Sequence, residues 1–350
     1  MSTPERLPSV SVVIPAYNAR MTLGVTLDSV ANQSLRNFEI ILVDDGSQDD
    51  TENFISDWKE KNSTLLENHK IQVTCYRFEN GGQATARNRG IERSQGKYIA
   101  FLDADDQWSI DKLKAQQLFL DQNPEIGLVY SWTHCIDNQH NFVRPGSQRS
   151  PGLLPGLELL MQNYLDNGSS PMVRRWILDK VGNFAADLPP TEDWDLWLRI
   201  AECYPIAAIP MPQINYRVSR YSSSANTRRL EQSARRTLER ALDRQKNSQN
   251  LTALRSRSLA NLYEYLYFQT FSGAIQRRNI PRAMVYLGQA LRHDTNLRRH
   301  WRTVGRAIAK VICLSILPNR IAQKLLNRLG NANTVHGDLL GYINTNLDCV

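Results

Sequence analysis

Three carboxylates, Asp103, Asp105 and Asp106, stand within four positions at the end of the apolar run YIAFLDADDQW, residues 98–108. Like charges held so close repel one another and raise each other's pKa. Asp103 and Asp105 form an Asp-x-Asp pair of hard oxygen ligands. Mg2+ or Mn2+ uses one or two such carboxylates together with phosphate oxygens of a substrate. A divalent cation would offset the repulsion and bridge the carboxylates to a diphosphate.

Four other segments carry polar residues at places where apolar runs stop. VVIPAYN (12–18) and VDDGSQDDT (43–51) close two of them, ENGGQATARNRG (79–90) opens a helix, and TEDWDLWLR (191–199) opens another. Each has an ordinary explanation when taken alone. Gly46 permits a turn and Ser47 or Asp49 could cap the next helix. The N–H groups of NGGQATARN could receive an anion at a helix start. Glu192 and Asp193 would sit in a first helical turn, where the macrodipole favours them.

The elements that must position these groups are legible as alternation. Apolar, β-branched or aromatic runs at 9–15, 38–45, 71–78, 98–105 and 126–132 alternate with helix candidates near 20–33, 49–61, 83–94 and 110–122. Short buried strands separated by helices predict βαβ units and a mostly parallel sheet covered on both faces. In such sheets the ligand crevice lies beyond the carboxyl ends of the strands, and Asp44, Asp45, Asp103 and Asp105 fall there. A helix is expected at 192–203 and a strand at 212–218. From about residue 224 the text is helical, and 258–293 reads as two helices around a turn. Ala260, Tyr267, Gly273, Ala283 and Ala290 sit there loosely as in a tetratricopeptide-type pair, but a single unit favours an ordinary αα-hairpin.

Composition narrows the class. A hydrophobic content of 41% with 22% charged residues is that of a globular chain. The net charge of +7 divides unevenly, with 21 Lys or Arg against 7 Asp or Glu from residue 221 onward and 21 against 28 in residues 1–220. An acidic front and a basic back predict two units with different partners, residues 1–220 and 221–350. The five cysteines lie far apart and show neither CxxC nor Cys/His spacing, which predicts reduced thiols in a cytoplasmic setting and argues against a disulfide framework or a zinc site. MSTPERLPSV carries no secretory h-region, and no run of eighteen apolar residues predicts a spanning helix. The tail 297–330 mixes Arg and Lys with Leu, Ile and Trp at helical intervals. It is expected either to lie on an anionic membrane face or to pack on the body. Nucleic acid is not an expected partner, because no recognised motif accompanies the basic charge.

Taken in order, the segments resemble glycosyltransferase family 2, the inverting group with the GT-A fold. The resemblance rests on Pro15, Tyr17 and Asn18; on Asp44, Asp45, Gly46, Ser47, Asp49 and Thr51; on Asn80, Gly82, Ala86, Arg87 and Asn88; and on Asp103 and Asp105. It covers roughly residues 8–220 and leaves the helical tail uncovered. It implies an α/β GT-A domain, Rossmann-like with a mostly parallel central sheet, followed by a helical region. It further implies that Pro15, Ala16, Tyr17, Asn18, Asp44, Asp45, Arg87, Asp103 and Glu192 hold a nucleotide sugar. Asp105 would bind Mg2+ or Mn2+ and Asp193 would be the catalytic base, with Trp194 or Trp197 on the acceptor side. One departure is visible: YRVSRYSSSAN (216–226) has Ser219 where relatives place a histidine, so that role passes to Arg217, Arg220, Ser222 or to none. The expected activity is inverting transfer from a nucleotide-diphosphate sugar to a glycan or lipid-linked acceptor in polysaccharide biosynthesis. The alternative is a non-catalytic nucleotide-sugar-binding or scaffold relative.

Overall fold

A computed structural model describes residues 7–294, apart from 153–154, 220–221, 223–224, 246–249 and 272–279, together with the isolated positions 305 and 308. The basic tail at 297–330 therefore lies outside the described residues except for Gly305 and Ile308.

The first half follows the predicted alternation: β1 (Val10–Ala16), α1 (Leu23–Ala31), β2 (Glu39–Asp44), α2 (Thr51–Lys61), α3 (Ser63–His69), β3 (Gln72–Arg77), α4 (Gln83–Arg93) and β4 (Tyr98–Phe101). The separate short helix α3 was not expected; Asn62 ends α2, and Lys70 closes α3 in the left-handed conformation. Every residue of β1, β2 and β4 is buried, as strands covered on both faces must be. Val10, Val12, Ile14, Leu23, Leu27, Ile40, Leu42, Tyr98 and Ala100 form one apolar cluster on one side of the sheet.

The chain continues through β5 (Gln107–Trp108), α5 (Lys112–Gln122), β6 (Leu128–Ile136), β7 (Phe142–Pro145), α6 (Pro155–Met161), β8 (Met172–Arg174), α7 (Arg175–Val181), α8 (Glu192–Cys203) and β9 (Ile206–Arg217). The strands form one sheet in the order β3-β2-β1-β4-β8-β6-β9-β5, with β7 paired to β6. β3 through β4 run parallel, as do β6 and β9, while β8, β5 and β7 pair antiparallel to their neighbours. β9 starts at Ile206 rather than 212, because it follows β6 along most of that strand across register shifts at Ser131, Trp132 and Thr133. The order reverses between β1 and β4, so the crevice beyond their carboxyl ends is the topological switch point.

Packing divides the chain into two units, residues 1–159 with 163–218, and residues 160–162 with 219–350. The second unit contains α9 (Thr227–Arg244), α10 (Leu251–Phe271) and α11 (Ile280–His293). Asn226 caps α9 by accepting the Arg229 N–H. Leu230, Ala234, Leu238, Ala241 and Leu242 form the buried stripe of α9 at helical spacing, and the arginines between them face outward. α10 and α11 pack against each other as the expected helix pair.

Candidate active site

The first rim of the crevice is built from two turns locked together. Pro15 and Ala16 end β1 buried, and Tyr17 stands half exposed after them. Asn18 takes the left-handed conformation at φ 49°; its N–H donates to Ser47 Oγ at 3.0 Å and its Oδ1 accepts the Gln48 N–H at 2.7 Å. Ala19 N–H donates to Thr51 Oγ1 at 3.0 Å. With Asp49 Oδ2 accepting the Arg20 N–H at 3.2 Å, Ser47, Asp49 and Thr51 anchor the β1 turn. Gly46 is required there: it sits at φ +79°, and a Cβ would fall 2.9 Å from the Asn80 nitrogen.

Asp44 and Asp45 differ in duty. Asp44 is fully buried; its Oδ1 accepts the Ser47 N–H at 2.9 Å. Its Oδ2 lies 3.2 Å from Arg77 Nη1 but off hydrogen-bond alignment, which leaves that oxygen without a hydrogen-bond partner. Asp45 accepts the Gly81 and Gly82 N–H groups at 2.9 and 2.8 Å and pairs with Arg89 at 3.1 Å. The start of α4 therefore receives an anion from within the chain. The reading of that turn as an open anion site is corrected: Asp45 fills it.

Arg87, on α4, joins three of the segments. Its Nη2 donates to Asp103 Oδ1 at 2.6 Å and its Nη1 to Glu192 Oε1 at 3.1 Å, with the guanidinium only 2% exposed. Gln83 Nε2 adds a second bond to Asp103 Oδ1 at 2.9 Å. Gly168 makes room, since a Cβ there would come within 2.6 Å of Arg87 Nη2. Burial works against the Arg87 charge, but Asp103, Glu192 and Asp193 outweigh it and raise the arginine's pKa. Glu192 keeps Oε2 buried and unpartnered, and burial raises its pKa despite Arg87.

The three carboxylates of the β4 end separate by role. Asp106 is fully buried: Oδ1 accepts the Arg217 N–H at 2.9 Å and Oδ2 the Ser169 hydroxyl at 2.5 Å. Ser169 Oγ in turn accepts the Asp103 N–H at 3.0 Å. Burial first, then Asp105 and Asp103, push the Asp106 pKa well up. Asp106 is therefore a brace that fixes the turn. Asp105 has no salt-bridge partner among the described residues, and burial together with Asp103 pushes its pKa up to about 6. Its hard oxygens, beside those of Asp103, fit a divalent cation. Among the described residues no group of three or more His, Cys, Asp or Glu side chains is arranged to hold a metal, so a cation here would need substrate oxygens as well.

Asp193 is partly buried at the start of α8 and accepts the Trp194 N–H. Burial first and Glu192 second push its pKa up to about 7, against the pull of Arg87. It stands in the electrostatic field of Arg87 and Asp103, within one cluster with the β4 end. The two tryptophans expected on the acceptor side belong to the interior instead. Trp197 is fully buried against Phe101 and Phe184, and Trp194 is 7% exposed with its indole N–H donated to the Leu159 carbonyl. They face inward because α8 buries a broad apolar stripe, Leu196, Leu198 and Ile200 among it.

Arg217 is also committed elsewhere: its guanidinium donates to the Asp105 and Asp137 carbonyls at 3.0 Å each. Ser222 Oγ accepts the Ser219 N–H at 3.3 Å, and Arg220 lies outside the described residues. Sequence reading missed Ser169, Gln83, Arg77, Arg89 and His140, which lie in or beside this network. Gln83 and Arg89 lie within the ENGGQATARNRG segment beside Arg87, whereas Ser169, Arg77 and His140 follow no recognisable pattern and only chain folding brings them near.

Comparison with known proteins identifies the family and the fold. The sequence profile of glycosyl transferase family 2 matches residues 11–182. A UDP-Glc:alpha-D-GlcNAc-diphosphoundecaprenol beta-1,3-glucosyltransferase of Escherichia coli, WfaP, is 33% identical over 194 residues, which cover 55% of this chain and 69% of that protein. A putative teichuronic acid biosynthesis glycosyltransferase of Bacillus subtilis, TuaG, is 43% identical over 113 residues, 32% of this chain and 42% of that protein. An uncharacterized glycosyltransferase of Rickettsia bellii is matched at 28% identity over 64% of this chain but only 31% of its own length. The chain thus spans between about a third and three fifths of several relatives it matches. The crystal structure of Staphylococcus aureus TarS 1–349 in complex with UDP-GlcNAc superposes with a TM-score of 0.59 at 16% identity, over 95% of this chain and 91% of that one. That likeness concerns the fold: the mixed α/β architecture with its mostly parallel sheet is that of the GT-A glycosyltransferases.

Proposed function

The chain belongs to glycosyl transferase family 2, and we propose that it moves a sugar from a nucleoside-diphosphate donor to an acceptor hydroxyl with inversion at the anomeric carbon. One observation supports this reading above the others. Arg87 ties Asp103, at the end of β4, to Glu192, at the start of α8, and so brings the diphosphate-binding edge and the candidate base into one electrostatic cluster.

In this reading the turns of Pro15, Ala16, Tyr17 and Asn18 and the buried Asp44 carboxylate frame the nucleoside, with Asp44 Oδ2 left to accept a donor of the base. Asp45 and Arg87 shape the site from behind through Gly81, Gly82, Asp103 and Glu192. Asp105, with Asp103 beside it, would hold Mg2+ or Mn2+, which when bound supplies Lewis-acid neutralisation of the diphosphate. Asp193 takes the proton of the acceptor hydroxyl as its oxygen bonds to the anomeric carbon. The carbon–oxygen bond to the diphosphate breaks on the opposite face, and the diphosphate leaves with the electron pair. A carboxylate raised to about 7 is matched to that task near neutrality.

The names of WfaP and TuaG support a glycan or a lipid-linked glycan as acceptor, and the TarS complexes with UDP and UDP-GlcNAc support a uridine diphosphate donor. No helix among the described residues is long and apolar enough to cross a membrane. A lipid-linked acceptor and the basic tail together support peripheral work at the cytoplasmic face. The test is release of nucleoside diphosphate from a panel of nucleotide sugars with Mn2+ and a glycan acceptor. Turnover that falls about a hundredfold or more in Asp193→Asn is expected; no release with any donor would overturn the reading.

A further inference from the structure

The turn between β6 and β7 is wound around Asp137, whose carboxylate accepts the Gln139 and Asn141 N–H groups at 2.9 Å each. His140 occupies the left-handed position of this turn at φ 66°, where a glycine or asparagine is at less cost. Its side chain is exposed there.

The surroundings of the ring fix its proton. Arg217 Nη2 lies 3.4 Å from His140 Nδ1, and Gln107 Nε2 lies 2.7 Å from the same atom. A glutamine amide could present either its oxygen or its nitrogen, so Gln107 alone settles nothing. A guanidinium can only donate. Nδ1 is therefore the acceptor of both bonds, Gln107 turns its NH2 group to the ring, and the imidazole proton sits on Nε2. With its one lone pair engaged at Nδ1, the ring has none left for a metal. What it presents outward is the Nε2–H edge of the ring.

The location of that donor is set by the same arginine. Arg217 bonds the Asp105 carbonyl through Nε, and its backbone N–H bonds Asp106, so His140 is tethered to the Asp-x-Asp turn at one remove. Arg217 itself gives its guanidinium to carbonyls and to the ring. Among the described residues of this network, the exposed imidazole edge is left to donate outward. We propose that His140 binds the diphosphate of the nucleotide, its Nε2–H donating to a phosphate oxygen beside Asp105. The proposal rests on the family 2 reading of the site above.

The test is equilibrium binding of UDP, GDP and dTDP, and of uridine, guanosine and thymidine, to the full chain in Mn2+. Wild type is compared with His140→Gly, which suits the left-handed turn and removes only the ring, and with His140→Asn as a second tolerated residue. Affinity for the preferred diphosphate is expected to fall about tenfold, as for loss of one hydrogen bond to a charged group. Nucleoside affinity and Mn2+ affinity, the latter read by water-proton relaxation, are expected to stay unchanged. Wild-type diphosphate affinity in both variants overturns the assignment, as does a parallel loss of Mn2+ affinity, which would make His140 a metal ligand. If wild type binds no diphosphate better than its nucleoside, the proposed function falls together with it.

Discussion

Arg87 and Glu192 are 105 positions apart in the chain and meet at 3.1 Å, with side chains 2% and 4% exposed. The contact closes a bridge that begins at Asp103, 2.6 Å from the other terminal nitrogen of the same guanidinium. A planar fork serves two carboxylates at once, and an ammonium cannot reproduce that geometry. Arg87→Lys is expected to lower kcat/KM by about a hundredfold, because a small misplacement of the reacting groups has an effect of that size. Arg87→Ala should also cost about 3–5 kcal/mol of stability, since it strands buried carboxylates. Denaturant midpoints and steady-state kinetics of both variants check this.

Asp193→Asn removes the proton acceptor while keeping the shape of the side chain. A loss of about a hundredfold or more in kcat is expected, with donor affinity unchanged. Equal turnover by the variant, measured as nucleoside diphosphate release, would remove Asp193 from the base role.

The acid limb of the rate profile follows from the same residue. Burial and Glu192 push the Asp193 pKa up to about 7. The base works only when ionised, so kcat should rise with pH and level off above about 7, the apparent value belonging to the Asp193–Glu192 pair. A rate independent of pH between 5 and 8 would contradict the assignment.

Asp105→Asn keeps the turn intact, because Arg217 holds Asp105 through its backbone carbonyl. The expected outcome is loss of Mn2+ or Mg2+ stimulation with little change in melting temperature. Asp106→Asn should do the reverse, destabilising the fold by about 1–3 kcal/mol, since Asp106 accepts Ser169 and Arg217 in the interior. Thermal unfolding and metal titration of the two variants separate the roles.

Glu264, on α10, is 3% exposed with neither carboxylate oxygen hydrogen-bonded, and burial followed by Asp294 pushes its pKa up to about 8. The folded carboxyl holds its proton where the unfolded one has lost it. Stability is then greatest below the ordinary glutamate range and falls as pH rises from there to about 8. Glu264→Gln should abolish that slope and add about 2 kcal/mol at pH 8, read by denaturant unfolding.

Much of the site was legible in the sequence because chemistry and strand ends coincide locally. VVIPAYN, VDDGSQDDT and FLDADD each contain an apolar run that must be a buried strand, followed at once by the polar residues it delivers. Strand, turn and carboxylate lie within a few residues, so spacing alone placed Asp44, Asp45, Asp103 and Asp105 at strand ends, and the βαβ rhythm predicted parallel pairing; the order β3-β2-β1-β4 is decided by the folded sheet. What the local pattern could not decide was which acid does what. Asp45 and Asp106 look like Asp44 and Asp105 in a sequence, yet one caps the Gly81–Gly82 turn and the other braces Ser169 and Arg217. Trp197 could stand on either side of an amphipathic helix until Phe101 and Phe184 enclose it. His140 acquires its neighbours only when β6, β7 and β9 pair. Hydrogen-bond partners, burial and proton positions depend on contacts between residues far apart in the chain, and those exist only in the folded sheet.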